Sequence, residues 1–389
     1  MRVAIVSGDD VAGEDPEQLC AALGAQGHDA TLCLRRASRR SAQASAEADY
    51  HRVSIPVGPR GATSPVDVLP YVGQWAATLD RIWTTEPPVV VHAYGWLGGL
   101  AAQLAARRRR IPTVQTFLGL AATSPGHAGA ESERKRIEPL LSRSATWVTG
   151  ESSDDVDALA RLRRRRTRVS ALTCGVDAER YTSTGPTAPR NGLQRILAVT
   201  PNPLSHNGID IIIRALPKVR GAELVIVESD ATNGSHNDAR AVLQRLASEL
   251  GVADRVRFAG RVPDDELPML IRSADLAACT PRQPPRATTV LQGMSCGVAV
   301  VAASVGVLAD VVLDEITGLV VAPENPAALA AAARRLLGHR FQSESMGSAG
   351  RSRAASRFAW QRIALDALNI YASLGSPDRT PAGAPSTVR

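Results

Sequence analysis

"LGVADRVRFAGRVPDDELPMLIRSADLAACTP" runs from Leu250 to Pro281. "RVRFAG" (255–260) reads as a strand, "DELPMLIRSA" (265–274) as a helix, and "DLAACTP" (275–281) as a second strand. Strands joined through helices imply a parallel sheet with crossover helices.

The same rhythm extends in both directions. Upstream, "QRILAVT" (194–200) and "AELVIVES" (222–229) predict strands, with helices over "GIDIIIRALPKV" (208–219) and "DARAVLQRLASELGV" (238–252). Downstream lie strands "VAVVAAS" (298–304) and "TGLVVAP" (317–323), then helix "PAALAAAARRLL" (326–337). The first half repeats the scheme. Strands "RVAIVS" (2–7), "DATLCLR" (29–35), "PVVVHAY" (88–94), "PTVQTF" (112–117) and "ATWVTGE" (145–151) alternate with helices "PEQLCAALGAQGH" (16–28) and "WLGGLAAQLAARRRR" (96–110). The expectation is α/β: two Rossmann-like, doubly wound parallel-sheet domains. "YTSTGPTAPRNG" (181–192), rich in Gly, Pro, Ser and Thr, reads as the linker. Expected boundaries are 1–185, 186–354, a helix over 355–374, and a disordered tail over 375–389. In open parallel sheets ligands sit at the carboxyl ends of the strands, so two facing sheets would bind substrates in the cleft between them.

Composition agrees with this reading. The 389 residues suffice for two domains with real cores, and 44% hydrophobic with 21% charged content fits a soluble globular chain. The net charge of +7 is almost wholly arginine, since only Lys135 and Lys218 are lysine. Such a balance suits nucleotides, phosphates or acidic membrane surfaces. The runs Arg107–Arg110 and Arg163–Arg166 lack interleaved aromatics and follow helical stretches, which argues for cations at helix C-termini and against nucleic acid. The five cysteines form no CxxC pair, so no zinc or redox motif is indicated, and a reducing cytoplasm is expected. "MRVAIVSGDD" has too short an apolar run for a signal peptide.

A set of longer stretches carries a family resemblance: "GAQGHDATL", "PVVVHAYGWLGGLAA", "IPTVQTF", "CGVDAERY", the opening segment, "GMSCGVAVVA", "DEITGLVVAPENPAAL" and "RFAWQRIA". Over nearly all of residues 1–374 the chain resembles a retaining glycosyltransferase of the GT-B fold, family 4. The resemblance implies an N-terminal acceptor domain, a C-terminal nucleotide-sugar domain and a last helix that returns to the first domain. It implies no cofactor and no metal, because cationic side chains and helix N-termini neutralise the departing diphosphate. The family places an Arg and a Lys after the first strand of the second domain. Two Glu, eight apart, position the sugar and ribose hydroxyls, and a His on the N-terminal side contacts the sugar.

This chain departs from that pattern. In "TPNPLSHNG" (200–208) the Arg position falls on Pro201 or Asn202 and the Lys position on Asn207. In "CTPRQPPRATTVLQGM" (279–294) the two Glu positions fall on Pro284 and Gln292, and in "QTFLGL" the His position falls on Leu118. Val307 replaces the second Gly of the usual pair in "SVGVLAD". Removing one preorganised transition-state donor typically costs about 3 kcal/mol. Neutral residues at all five positions therefore predict impaired turnover.

The remaining candidates follow from position. Arg282 and Arg286, with His206, are the cations available to replace the lost pair, although a solvated loop rim for the two arginines and a surface position for His206 are equally open readings. Asn207, Gly208 and Gln292 complete the donor set, and "GRVP" (260–263) carries Arg261 and Val262 at the stretch whose backbone holds the base in the family. Gly8 and Gly13 of "SGDDVAG" follow the first strand and allow close backbone approach to an acceptor, although a plain loop has the same pattern. The adjacent Asp9 and Asp10 point to opposite sides of an extended segment, which disfavours paired acid–base work. His92 ends a strand, where acceptor contact and a buried hydrogen-bonded histidine are both open readings. Trp96 suits a sugar face or the core.

Two functions follow. One is a metal-independent retaining glycosyltransferase with a nucleotide-sugar donor and an altered site. The other is a non-catalytic relative that acts as scaffold or activating partner of an active glycosyltransferase. Peripheral contact with the inner face of a membrane accords with either.

Overall fold

A computed structural model describes residues 1–374 except 9, 12, 36–48, 60–63, 123–129 and 230–233. The expected disordered tail and Asp9 lie outside the described residues. The chain forms two compact units, Met1–Thr173 with the segment from Trp360, and Cys174–Ala359.

Unit 1 holds β1 (Arg2–Ser7), α1 (Asp15–Ala25), β2 (Asp29–Arg35), β3 (His51–Ile55), α2 (Val72–Thr85), β4 (Val90–Tyr94), α3 (Trp96–Arg109), β5 (Thr113–Thr116), α4 (Ala130–Ser144), β6 (Trp147–Gly150), α5 (Ser153–Arg163) and β7 (Val169–Ala171). All pairings in its sheet are parallel, in the order β3-β2-β1-β4-β5-β6-β7. The β1–β4 junction is the point where strand order reverses. One face packs residues of α2, α3, α4 and α5 around Trp75, Trp83, Trp96 and Leu97. The other face packs residues of α1 and of the last helix, including Leu19, Leu23, Ile363 and Tyr371.

Unit 2 holds β8 (Gln194–Thr200), α6 (Ile209–Ala215), β9 (Ala222–Glu228), α7 (Gly234–Glu249), β10 (Val256–Arg261), α8 (Leu267–Arg272), β11 (Leu276–Cys279), α9 (Thr288–Ser295), β12 (Val300–Ala303), α10 (Val307–Val311), β13 (Gly318–Val321), α11 (Pro326–Gly338) and α12 (Arg340–Arg357). Its sheet is also all parallel, in the order β10-β9-β8-β11-β12-β13. The order reverses at β8–β11. Every residue of β9 is buried, as a strand covered on both faces requires.

Two expectations about boundaries change. The division falls between Thr173 and Cys174, so the Gly/Pro-rich stretch 181–192 belongs to unit 2. Its irregular backbone is tied down: Ala188 N–H donates to the Met269 carbonyl, and Arg272 donates to the carbonyls of Pro186 and Thr182. The expected single helix over 355–374 is two pieces. α12 stops at Arg357, Val176 N–H donates to the Phe358 carbonyl at 2.7 Å, and α13 (Trp360–Ser373) then packs within unit 1. The strands β3 and β7, the helices α2, α4 and α10 and most of α12 were not anticipated, whereas α5 is the helical stretch expected before the Arg163–Arg166 run. β3, "HRVSI", carries too few apolar residues to signal a strand.

Candidate functional site

The loops that follow β8 and β11 flank the point in unit 2 where strand order reverses, the general ligand position of such sheets. After Thr200 the chain turns through 201–204, makes one 3₁₀ turn over Ser205–Asn207, and enters α6 at Gly208. Gly208 has φ +68°, and a Cβ there would lie 1.8 Å from the Thr280 carbonyl oxygen. Only glycine allows that approach. Thr280 Oγ1 donates to the Gly208 carbonyl at 3.0 Å, and Arg282 N–H donates to the His206 carbonyl at 2.8 Å. The two loops are thus joined directly.

The polar side chains here are largely occupied within the protein. Asn207 Nδ2 donates to Asn202 Oδ1 at 2.8 Å and to the Asn202 carbonyl at 2.9 Å. The Arg282 guanidinium forks onto Asp210 of α6, 2.7 Å to Oδ1 and 2.8 Å to Oδ2, and also donates to the Ser205 carbonyl at 2.6 Å. Glu324 Oε2 lies 3.4 Å from its Nε. Burial pushes the Asp210 carboxyl up, but the hydrogen bonds and charge of Arg282, with Arg214, outweigh it and hold the group below the usual carboxylate range. Arg282 therefore ties a loop to a helix and has a carboxylate as its own counter-charge.

Pro284 packs over Gly306, where a Cβ would meet the Pro284 Cβ at 2.8 Å, and Gly306 leads into α10 with Val307 buried. Arg286 is half-buried in the same loop. Gln292, on α9, donates through Nε2 to the Tyr181 hydroxyl at 3.0 Å. At the end of β10, Gly260 has φ +64° beside a register shift, Arg261 is exposed, and Val262 is half-buried against the core.

The unit 1 candidates occupy the corresponding edge of the other sheet. Gly8 sits under the Trp75 ring, 2.9 Å from a built Cβ, and Gly13 has φ +91°. Asp10 is half-buried, but its Oδ1 is shielded from solvent without a partner, while Oδ2 accepts from Leu97 N–H at 3.0 Å at the start of α3. Burial raises its pKa to about 6 against the pull of the backbone N–H groups of Leu97, Asp10 and Trp96 and the charge of Arg134. Leu118 follows β5 and packs on the core face shared with α1 and α13. His92 and Trp96 turn out to be core residues. Trp96 is buried among the helices of its face. His92 is fully buried, with Nδ1 2.6 Å from the Tyr371 hydroxyl and Nε2 2.6 Å from the Thr116 hydroxyl. Burial lowers its pKa to about 3, so the ring is neutral. A strand-end position alone did not distinguish a ligand-facing side chain from one turned into the sheet.

Three partners escaped the sequence reading: Asp210 for Arg282, Tyr181 for Gln292, and Tyr371 for His92. Asp210 had one local signal, an acid in the first turn of a helix, but that pattern is equally explained by the macrodipole.

Comparison with known proteins places this geometry. Residues 189–353 match the family description "Glycosyl transferases group 1", and residues 12–175 match "Glycosyl transferase 4-like domain". A D-inositol 3-phosphate glycosyltransferase of Salinispora arenicola is 30% identical over 305 residues, covering 72% of this chain and 68% of that protein. The corresponding protein of Salinispora tropica is 30% identical over 317 residues, covering 75% of this chain and 65% of its own length. Among solved structures, a sucrose-phosphate synthase of Thermosynechococcus elongatus aligns with TM-score 0.79 at 20% identity over 96% of this chain and 98% of that one. Anabaena HepE in complex with UDP-glucose aligns with TM-score 0.74 at 20% identity over 96% and 100%. The fold is GT-B.

Proposed function

Because this chain belongs to the group 1 glycosyl transferases, we propose that it retains nucleoside-diphosphate binding in unit 2 while transferring sugar slowly or not at all. The observation that carries this reading is the closed Asn202–Asn207 pair. The family resemblance expects an Arg at Pro201 or Asn202 and a Lys at Asn207. Cations aimed at a departing diphosphate act on the transition state and so on rate, whereas backbone contacts to a nucleotide act on binding. The backbone around β8, β10 and β11 supports binding. The polar groups that would support transfer are neutral or already paired. Gln292 keeps an acceptor for a ribose or sugar hydroxyl without charge assistance. The ligand class is a nucleotide sugar or its nucleoside diphosphate, as in the HepE complexes with UDP and UDP-glucose. Any residual transfer would be the metal-independent retaining reaction. A chain of this kind also suits a role as partner to an active glycosyltransferase, since binding and folding survive without turnover.

The test is calorimetry with UDP, GDP and ADP beside a turnover assay with the matching nucleotide sugars. Micromolar binding of one diphosphate with negligible sugar release supports the reading. Turnover at the rate of ordinary enzymes, roughly 1 s⁻¹ or faster, overturns it.

A further inference from the structure

Arginines crowd one edge of unit 1. α3 ends in Arg107, Arg108 and Arg109 with Arg110 at its C-cap, and α5 ends in Arg163 with Arg164 at its C-cap, followed by Arg165, Arg166 and Arg168. These helices deliver the chain to the N-terminal ends of β5 and β7, two strand places apart in the sheet, or roughly 10 Å. The edge is therefore opposite the one where the strands end and ligands are expected. Arg143, in the last turn of α4, joins the group by donating to the Leu162 carbonyl at 3.1 Å. Asp80 takes up Arg109 at 2.6 Å, and Asp157 takes up Arg166 at 2.9 Å. Arg107, Arg110, Arg164 and Arg165 are exposed.

The helix macrodipole favours cations only within the last turn, and it does not account for the caps. Arg110 has φ 54° and Arg164 φ 56°, both left-handed, and Arg168 has φ 60°. Three of the five left-handed non-glycine residues described are arginines in or just beyond these two runs. Glycine is the relaxed residue there, so arginine is held against the backbone's preference.

A second feature points to the partner. Leu104 on α3 is 45% exposed and Leu140 on α4 is 60% exposed. Each lies three residues before an arginine on the same helix face, Arg107 and Arg143 respectively. The tryptophans of unit 1, Trp75, Trp83, Trp96, Trp147 and Trp360, are buried, which leaves none of them for base stacking. Guanidinium forks match phosphate, and leucines between them match a headgroup boundary. Among the described residues no helix is long and apolar enough to cross a membrane. We propose that this arginine–leucine edge docks unit 1 on the surface of an anionic bilayer.

Cosedimentation of the full chain with phosphatidylglycerol/phosphatidylcholine vesicles tests the idea. The protein should pellet with these vesicles, not with phosphatidylcholine alone, and high salt should release it. The R107Q/R108Q/R165Q variant should bind on the order of a hundred-fold more weakly. L104S/L140S should also bind more weakly. R110G/R164G should raise the unfolding midpoint while weakening pelleting, a pair of opposite signs that a structural role for these arginines would not give. Failure to pellet at low salt overturns the proposal, as does equal binding to neutral vesicles. Retention on polyglutamate without vesicle binding also overturns it, in favour of an acidic protein partner.

Discussion

Asn207 is hydrogen-bonded to Asn202 through a single amide nitrogen, 2.8 Å from the side-chain oxygen and 2.9 Å from the carbonyl. The loop after β8 is closed on itself by two neutral residues in the stretch where the family resemblance expects an Arg, at 201 or 202, and a Lys, at 207. The double variant Asn202→Arg, Asn207→Lys reopens the question of charge. Charge-assisted hydrogen bonds contribute about 1.5–3 kcal/mol, so UDP should bind roughly ten- to a hundred-fold tighter by calorimetry. The lost amide bonds should lower stability by about 1 kcal/mol. Unchanged affinity would show that this loop does not face the diphosphate.

Arg282 and Asp210 are each about a quarter exposed, 27% and 22%. Solvent screening at that exposure discounts their bidentate pair to an expected coupling of about 1–2 kcal/mol. A double-mutant cycle with Arg282→Ala and Asp210→Ala measures it by denaturant unfolding. Asp210 is depressed in the folded state, so the coupling is fully present above the ordinary carboxyl pKa. It should fade as pH falls below about 4. Coupling that persists in strong acid would show that the charge of Asp210 is not what holds Arg282.

His92 reports burial through pH. Its folded-state pKa lies near 3, so between there and its unfolded value of about 6.5 the unfolded chain binds the extra proton. Stability from this residue is present above that window and is lost as pH falls through it. The advantage of the protein over a His92→Gln variant should shrink by about 1.4 kcal/mol per pH unit below 6.5. Asp10, raised to about 6 by burial, acts with the opposite sign but equally in both proteins, so it cancels from the difference. A difference constant from pH 7 to 5 would mean that the imidazole is hydrated.

Gly208→Ala combines a left-handed φ of +68° with a Cβ 1.8 Å from a carbonyl oxygen. It should destabilise by about 3 kcal/mol or more. Gly27 is the control, because its φ is +79° with nothing within 4 Å of a built Cβ. Gly27→Ala should cost only about 1–2 kcal/mol, the strain term alone. Equal thermal shifts in the two variants would mean that the loops after β8 and β11 separate freely.

Much of the architecture was legible in the chain, and for a local reason. The centre of β9, Leu224–Val227, and β12, Val300–Ala303, are continuous apolar runs because strands covered on both faces must be. α11, with Pro326 at its start and Leu329, Ala330, Ala333 and Leu336 buried, shows the helical period directly. The edge strand β3 and the two-residue break between α12 and α13 were not legible. The first has too little apolar content, and the second depends on a hydrogen bond from Val176 to Phe358 across most of unit 2. In the site, neutral residues could be assigned only to the positions where the family resemblance expects charge. What those residues do instead could not be read. Arg282 was open between a phosphate contact and a solvated rim, and His92 between a ligand role and a core role.

The order of apolar and polar residues along the chain was enough to specify two parallel sheets and the positions of their ligand-side loops, since burial imposes a period that short segments display. Only the tertiary structure decided which partner each polar group takes. Arg282 meets Asp210 across 72 residues, Gln292 meets Tyr181 across 111, and His92 meets Tyr371 across 279. Hydrogen bonds require heavy atoms within about 3 Å, and no local pattern encodes which distant side chain the fold brings that close.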